Sequence, residues 1–263
     1  MTTKAPALPA VARAIGPLLG PDTPVVFAMN GVFWWYGHGF APNGRTLDLG
    51  RLDPGGLLHR HVGPDRSLGM VAYSPNEVME PGVVHNDRAS NRFVLGEPGG
   101  AVTARARAIH GALDGAGFQV ELTEDIRREM WRKLLSNIST APVSALTGAR
   151  SSEVVGDARA RAVARRLMEE AIEVAAGHGF TGLGVDPERR TAAGSKAPHK
   201  PSMLQDLERG RPMEIDSMVG VMADFAAAAG IPTPVLDTVL ALLALRARVA
   251  GLYGEAAGPV AAP

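Results

Sequence analysis

The stretch that most restricts the fold runs from Thr123 to Gly148, TEDIRREMWRKLLSNISTAPVSALTG. Ile126, Met130, Leu134 and Ile138 recur every fourth residue, with Trp131 and Leu135 beside them, the period of a helix with one buried stripe. Thr123 suits an N-cap, and Glu124 and Asp125 put negative charge where the helix dipole favours it. Pro142 removes a backbone donor, so a kink or break is expected there, and Gly148 suits the end. On a second face Lys133 and Asn137 stand one turn apart, an ammonium and an amide pointing the same way. Spacing also offers a plainer outcome. Glu129 precedes Lys133 by four residues, the favourable order for a solvated surface ion pair, and on spacing alone that pair is the commoner case.

The chain has 263 residues, enough for one large domain or two smaller ones. Lys plus Arg and Asp plus Glu are 27 each, so no basic excess points to nucleic acid. The absence of cysteine excludes disulfides, thiolate metal sites and a cysteine nucleophile. No apolar run reaches spanning length, since the stretch Thr238 to Leu245 is closed by Arg246 and Arg248, and the start lacks a signal-peptide core. A cytoplasmic protein with neither membrane nor nucleic-acid partner is expected.

In chain order, Ala7 to Leu19 reads as a helix, and Pro24 to Met29 as a short strand apolar on both faces, which belongs inside a parallel sheet. Asn30-Gly31 follows at its carboxyl end, where open α/β sheets bind ligands, although Asn-Gly is also a common turn. VFWWYGHGFAPNG then reads as a lid, an aromatic patch for a partner or a loop tucked on the core. Strands are expected over Leu57 to Val62, Leu68 to Ser74, Val78 to His85 with a turn at Pro81-Gly82, Arg92 to Gly96 and Phe118 to Leu122, with a helix over Val102 to Ala116. His59 and His61 would share one strand face, without a third ligand for zinc. After Gly148 the pattern is helical over Asp157 to Ala176, Asp186 to Ala193, Met213 to Ala229 and Val235 to Leu252. The domains expected are 1–122 (α/β), 123–253 (helical) and a disordered tail, 254–263.

In the helix over Met213 to Ala229, Glu214 heads a stripe of Met218, Val221, Met222 and Phe225. Either the helix dipole welcomes an acid in the first turn, or a buried acid faces a ligand. WRKLLSNISTAPVSALTG followed by SMLQDLERGRPMEID resembles the C-terminal domain of 2-dehydropantoate 2-reductases (ketopantoate reductases). TTKAPAL, Asn30-Gly31, EPGVVH, LGEPGG and GIPTP extend the resemblance over nearly the whole chain. It implies an α/β part followed by an all-α part: a truncated Rossmann-like dinucleotide-binding domain plus a helical C-terminal domain of the 6-phosphogluconate-dehydrogenase-like type. It implies NADPH-dependent reduction of a 2-oxo acid, with 2-dehydropantoate to pantoate, a step of pantothenate biosynthesis, as the leading reaction. Lys133 would then be the general acid and Glu214 the acceptor of the substrate hydroxyl, both catalytic. Asn137, Ser202 and Asp206 would serve the substrate side, Asn30 and Lys4 the cofactor, and no metal is implied. The long helices of the second half would pair two subunits in a homodimer.

The sequence departs from that family in two ways. No G-x-G-x-x-G follows a strand anywhere, so the expectation is a dinucleotide-binding half whose front part lies outside this sequence, or one that has lost dinucleotide binding. The family's second asparagine, one turn past Asn137, is Ala141 here. The alternatives are accordingly a non-catalytic helical dimer or binding module and a reductase of a different 2-oxo acid.

Overall fold

The structure, a computed structural model, describes residues 1–74, 76–86, 91–196 and 198–254. Its strands are β1 (Val25–Ala28), β2 (Ser67–Tyr73), β3 (Asn76–Glu80), β4 (Val83–Asn86), β5 (Arg92–Gly96) and β6 (Val120–Thr123). The main sheet has the order β1-β2-β5-β6; β1 runs parallel to β2, β2 antiparallel to β5, and β5 parallel to β6. On the other side of β1 the Met1 ammonium donates to Val26 O at 2.8 Å and Ala28 N–H to Met1 O at 2.9 Å, so the first residue extends the ladder. β3 and β4 form a separate hairpin around Pro81-Gly82.

The helices are α1 (Leu8–Ala14), α2 (Leu57–His61), α3 (Ala104–Gly115), α4 (Ile126–Ile138), α5 (Ala141–Thr147), α6 (Ser151–Gly156), α7 (Ala158–Gly177), α8 (Pro187–Thr191), α9 (Ser202–Glu208), α10 (Val221–Ala229) and α11 (Pro234–Val249). The helix expected over Ala7 to Leu19 is shorter, because Gly16-Pro17 ends α1 and leaves a 3-10 turn, Gly16–Leu18. The strand expected over Leu57 to Val62 is α2. Asp53 accepts the N–H groups of Leu58 at 2.7 Å and His59 at 3.0 Å, and this cap turns the segment helical. His59 and His61 therefore diverge by roughly 200° around a helix and share no strand face. Among the described residues no His, Asp or Glu cluster is arranged to hold a metal, and no helix is long and apolar enough to cross a membrane.

The stretch from Thr123 to Gly148 divides in two. Asp125 is the N-cap of α4, accepting Arg128 N–H at 3.0 Å, while Thr123 Oγ1 accepts Asp125 N–H. Pro142 sits in the first turn of α5, where its missing N–H costs nothing, rather than kinking α4. The buried stripe of α4 lies across the sheet at a gap made by Gly69 and Gly96, which face each other in register. A Cβ on Gly69 would come within 2.9 Å of Ile126, and one on Gly96 within 2.7 Å. Leu68, Met70 and Leu95 pack with Ala106 of α3 and Val120 as a smaller cluster, separate from the main core.

In the helical part Asp157 caps α7 through Arg159 and Ala160 N–H at 3.0 and 2.8 Å. Glu170, fully buried on α7, accepts Val235 and Leu236 N–H at 3.2 and 2.8 Å and so caps α11 from a neighbouring helix. The helix expected over Met213 to Ala229 is interrupted: residues Asp216–Gly220 form a π-helical turn, and α10 begins after it. The tail beyond residue 254 lies outside the described residues.

Candidate active site

Asn30-Gly31 leaves β1 at its carboxyl end with Gly31 at φ +80°. A Cβ on Gly31 would lie 2.4 Å from the carbonyl oxygen of Ser217, so only glycine fits. Val32 N–H donates to that same carbonyl at 2.8 Å. Ser217 belongs to the π-helical turn that follows Glu214, and the close approach brings Asn30 onto Glu214, to which its side chain is hydrogen-bonded. Glu214 is 4% exposed, and its Oε1 accepts Ala5 N–H at 3.3 Å. Next to Ala5, Lys4 pairs with the buried carboxylate of Asp206, which Arg211 approaches at 3.0 Å from the other side. Four residues singled out by resemblance, Lys4, Asn30, Asp206 and Glu214, thus meet from opposite ends of the chain.

Burial is the main force on Glu214 and raises its pKa; Ala5 N–H, Lys4 and Asn30 resist, and the charge of Asp206 adds to the rise. The choice left open by spacing is decided by burial: Glu214 precedes the helical turn as a desolvated acid. A carboxyl of this kind can hold a proton or accept a strong hydrogen bond at neutral pH.

Lys133 lies on α4. Its Nζ lies 4.9 Å from the centroid of the Tyr73 ring at the end of β2, and the Arg92 guanidinium lies 5.0 Å from the same ring. Glu129 is no solvated surface acid: it is buried, pairs with Arg132, lies 3.8 Å from Arg92 and accepts the Tyr73 hydroxyl at 3.5 Å. Burial, with the charge of Glu129, keeps Tyr73 protonated. Asn137, half-buried, follows Lys133 by one turn, and Ser202 is exposed at the start of α9, one turn before Asp206.

Behind Asn30 the run Val32 to Tyr36 is core, neither a lid nor an exposed patch. Phe33 stacks on Trp35 at 4.7 Å, and Trp34 meets Phe27 edge-on. The back of α4 holds this loop: Trp131 Nε1 donates to Tyr36 Oη at 2.9 Å, and the buried Arg127 donates to the carbonyls of Tyr36, His38 and Pro98. One helix therefore carries Lys133 on one side and anchors the loop that follows Asn30 on the other.

Sequence reasoning missed several partners. Arg211, Tyr73 and the backbone N–H of Ala5 carried no local signal. Arg51 pairs with Asp224 at 2.6 and 3.0 Å and with Asp216 at 3.0 Å, while Tyr253 donates to Asp216 at 2.6 Å. Gly220 in the π-helical turn makes room for it, since a Cβ there would lie 2.9 Å from the Arg51 side chain.

A family model described as ketopantoate reductase PanE/ApbA C terminal matches residues 125–247. Over 254 residues the chain is 41% identical to a 2-dehydropantoate 2-reductase of Mesorhizobium japonicum, covering 96% of this chain and 77% of that one. Among solved structures, a protein of Ralstonia solanacearum MolK2 assigned as a ketopantoate reductase superposes with a TM-score of 0.85 at 35% identity, over 96% of this chain and 77% of that one. A D-mandelate dehydrogenase solved with NADH and anilino(oxo)acetate has a TM-score of 0.76 at 20% identity, over 95% and 75%, a likeness of fold.

Proposed function

From the premise that this chain belongs to the ketopantoate reductase family, a family of dinucleotide-dependent reductases, we propose that it reduces a 2-oxo acid to the 2-hydroxy acid with NADPH, 2-dehydropantoate to pantoate first among them. The fold is that of the family, a Rossmann-like α/β part followed by a helical C-terminal part. The observation that carries the proposal is the desolvated carboxyl of Glu214 held against Asn30 at the carboxyl end of β1.

NADPH, when bound, supplies a hydride to the carbonyl carbon. Lys133 gives the proton that the carbonyl oxygen takes up, and its positive charge stabilises that oxygen while it is negative. Glu214 accepts a hydrogen bond from the resulting hydroxyl and so orients the substrate. Asn137 and Ser202 offer neutral hydrogen bonds to its other polar groups. The residues fit the nicotinamide end of the cofactor: Asn30 presents an amide at the ligand-binding end of the sheet, and Lys4 an ammonium fixed by Asp206.

The residue ranges 1–122 and 123–253 enter this reading as its two domains, joined by one core that runs from Leu8 to Ala247. The protein is read as cytoplasmic. A homodimer is supported by Leu242, Leu245 and Val249, exposed at helical spacing on α11 by 53, 52 and 82%. Light scattering checks the dimer.

Turnover is tested by following NADPH absorbance with ketopantoate, and binding by quenching of tryptophan emission. The expected result is saturable binding and turnover, with kcat lowered about 10²–10⁴-fold in Lys133→Ala while binding persists. Absence of saturable NADPH binding would favour the alternative, a binding module without turnover, and NADPH binding without turnover would overturn the reduction of ketopantoate.

A further inference from the structure

Beside α8, Gly184, Asp186, Arg189, Arg190, Ser195 and Lys196 line a cleft of about 480 Å³. Its walls carry three cations. The lining also holds one acid, Asp186, which accepts the N–H of Arg189 at 3.2 Å as the cap of α8, and nearby Glu188 pairs with Arg165 at 2.7 Å, so the three cations outweigh the acid of the lining. Lys196 is half-buried, and burial together with the like charge of Arg190 works against its ammonium and lowers its pKa. An anion placed among the three would relieve both effects, and a guanidinium fork beside an ammonium is the usual way to hold oxyanions.

The cleft also adjoins the catalytic helix. Arg190 Nη1 lies 3.4 Å from the hydroxyl of Ser136, the residue before Asn137. Arg132, a turn earlier, donates to the carbonyl of Leu183, just before Gly184, at 3.2 Å. A ligand that drew Arg190 into the cleft would act on the same turn of α4 that carries Lys133 and Asn137.

We propose that this cleft binds a small phosphate-type dianion, held by Arg189, Arg190 and Lys196, and that it is separate from the 2-oxo acid site. The binding claim stands whether or not the chain turns over. Calorimetric titration of the full chain with inorganic phosphate tests it, with pyrophosphate and adenosine monophosphate as parallel ligands and sodium chloride as the ionic-strength control. Saturable binding is expected, weakened about tenfold or more in Arg190→Gln and in Lys196→Gln, and abolished in the double variant. Phosphate should raise the melting temperature of the wild type and leave that of the double variant unchanged. Tighter binding of adenosine monophosphate, lost in the double variant, would identify a nucleotide ester as the source of the phosphate, and equal or weaker binding would identify the free anion. Lys133→Ala should keep phosphate binding intact. Loss of binding in Lys133→Ala, undiminished binding in the double variant, or no saturable heat with any of the three ligands would overturn the proposal.

Discussion

Glu214 sets chemistry against stability. Burial raises its pKa above the ordinary carboxylate value of 4.5, so the folded state holds the proton more tightly than the unfolded chain. Its stabilising contribution is therefore complete below that value and is lost as pH rises through the folded pKa. Glu214→Gln keeps the shape and discards the charge. Its melting temperature should exceed the wild type's by roughly 2–4 °C at neutral pH, the equivalent of ~1 kcal/mol, with the gap closing toward acid while turnover falls. Melting curves across pH check this, and a gap that does not change with pH would show that the carboxyl does not titrate there. Gly31 is constrained from the opposite direction. With φ +80° and a Ser217 carbonyl 2.4 Å from any Cβ, Gly31→Ala must push the π-helical turn away from Asn30. A loss of about 2–4 kcal/mol in urea unfolding is expected, with kcat reduced even where the protein stays folded.

At the scale of elements, the π-helical turn explains how distant segments become one site. A continuous helix over Met213 to Ala229 accounts for the stripe of Met218, Val221, Met222 and Phe225, all buried. It does not account for the extra residue that turns the Ser217 carbonyl toward Val32. Nothing in the 3.6-residue period marks such an insertion, because the apolar residues on either side keep their places. α2 was misread for a related reason: five residues are too few to display a period, and the deciding signal was the Asp53 cap upstream. α4, α7 and α11 were legible because each has a long stripe and a cap or a proline at its start. The π-helical turn leans on Arg51, whose fork grips Asp224 and whose third nitrogen meets Asp216. Arg51→Gln leaves two carboxylates facing each other without their cation, and a loss of about 1.5–3 kcal/mol is expected. Arg51→Lys should restore part of the stability and less of kcat, since an ammonium supplies the charge without the fork. Equal recovery of both would mean that Arg51 only stabilises and does not position Glu214.

Across the whole molecule, the main core joins the sheet and the helices from Leu8 to Ala247, so the site depends on pairings that no local pattern encodes. Lys4 meeting Asp206, and Gly31 meeting Ser217, are contacts across some two hundred residues; resemblance to a family named the residues, and only the fold shows why they converge. The same core holds His178, at the end of α7 and 2% exposed, between Trp131 of α4 and Phe225 of α10. Its Nε2 lies 2.8 Å from the Phe225 carbonyl. Burial lowers its pKa below the ordinary 6.5, the hydrogen bond to Phe225 resists, and the charge of Arg45 adds to the fall. A group depressed in this way contributes stability that is present above its unfolded pKa and lost as pH falls through the folded one. This slope is opposite in sign to that of Glu214. Where the two windows overlap they oppose each other, so the wild type should show a shallow net dependence on pH that hides two steeper ones. His178→Gln retains a donor for the Phe225 carbonyl and removes the titration. Its unfolding midpoint should stop falling as pH drops below about 6.5, whereas Glu214→Gln should fall more steeply than the wild type over the same range. Urea midpoints of the three proteins, read at matched ionic strength, separate the two contributions. An unchanged slope in His178→Gln would move the acid sensitivity to another buried group.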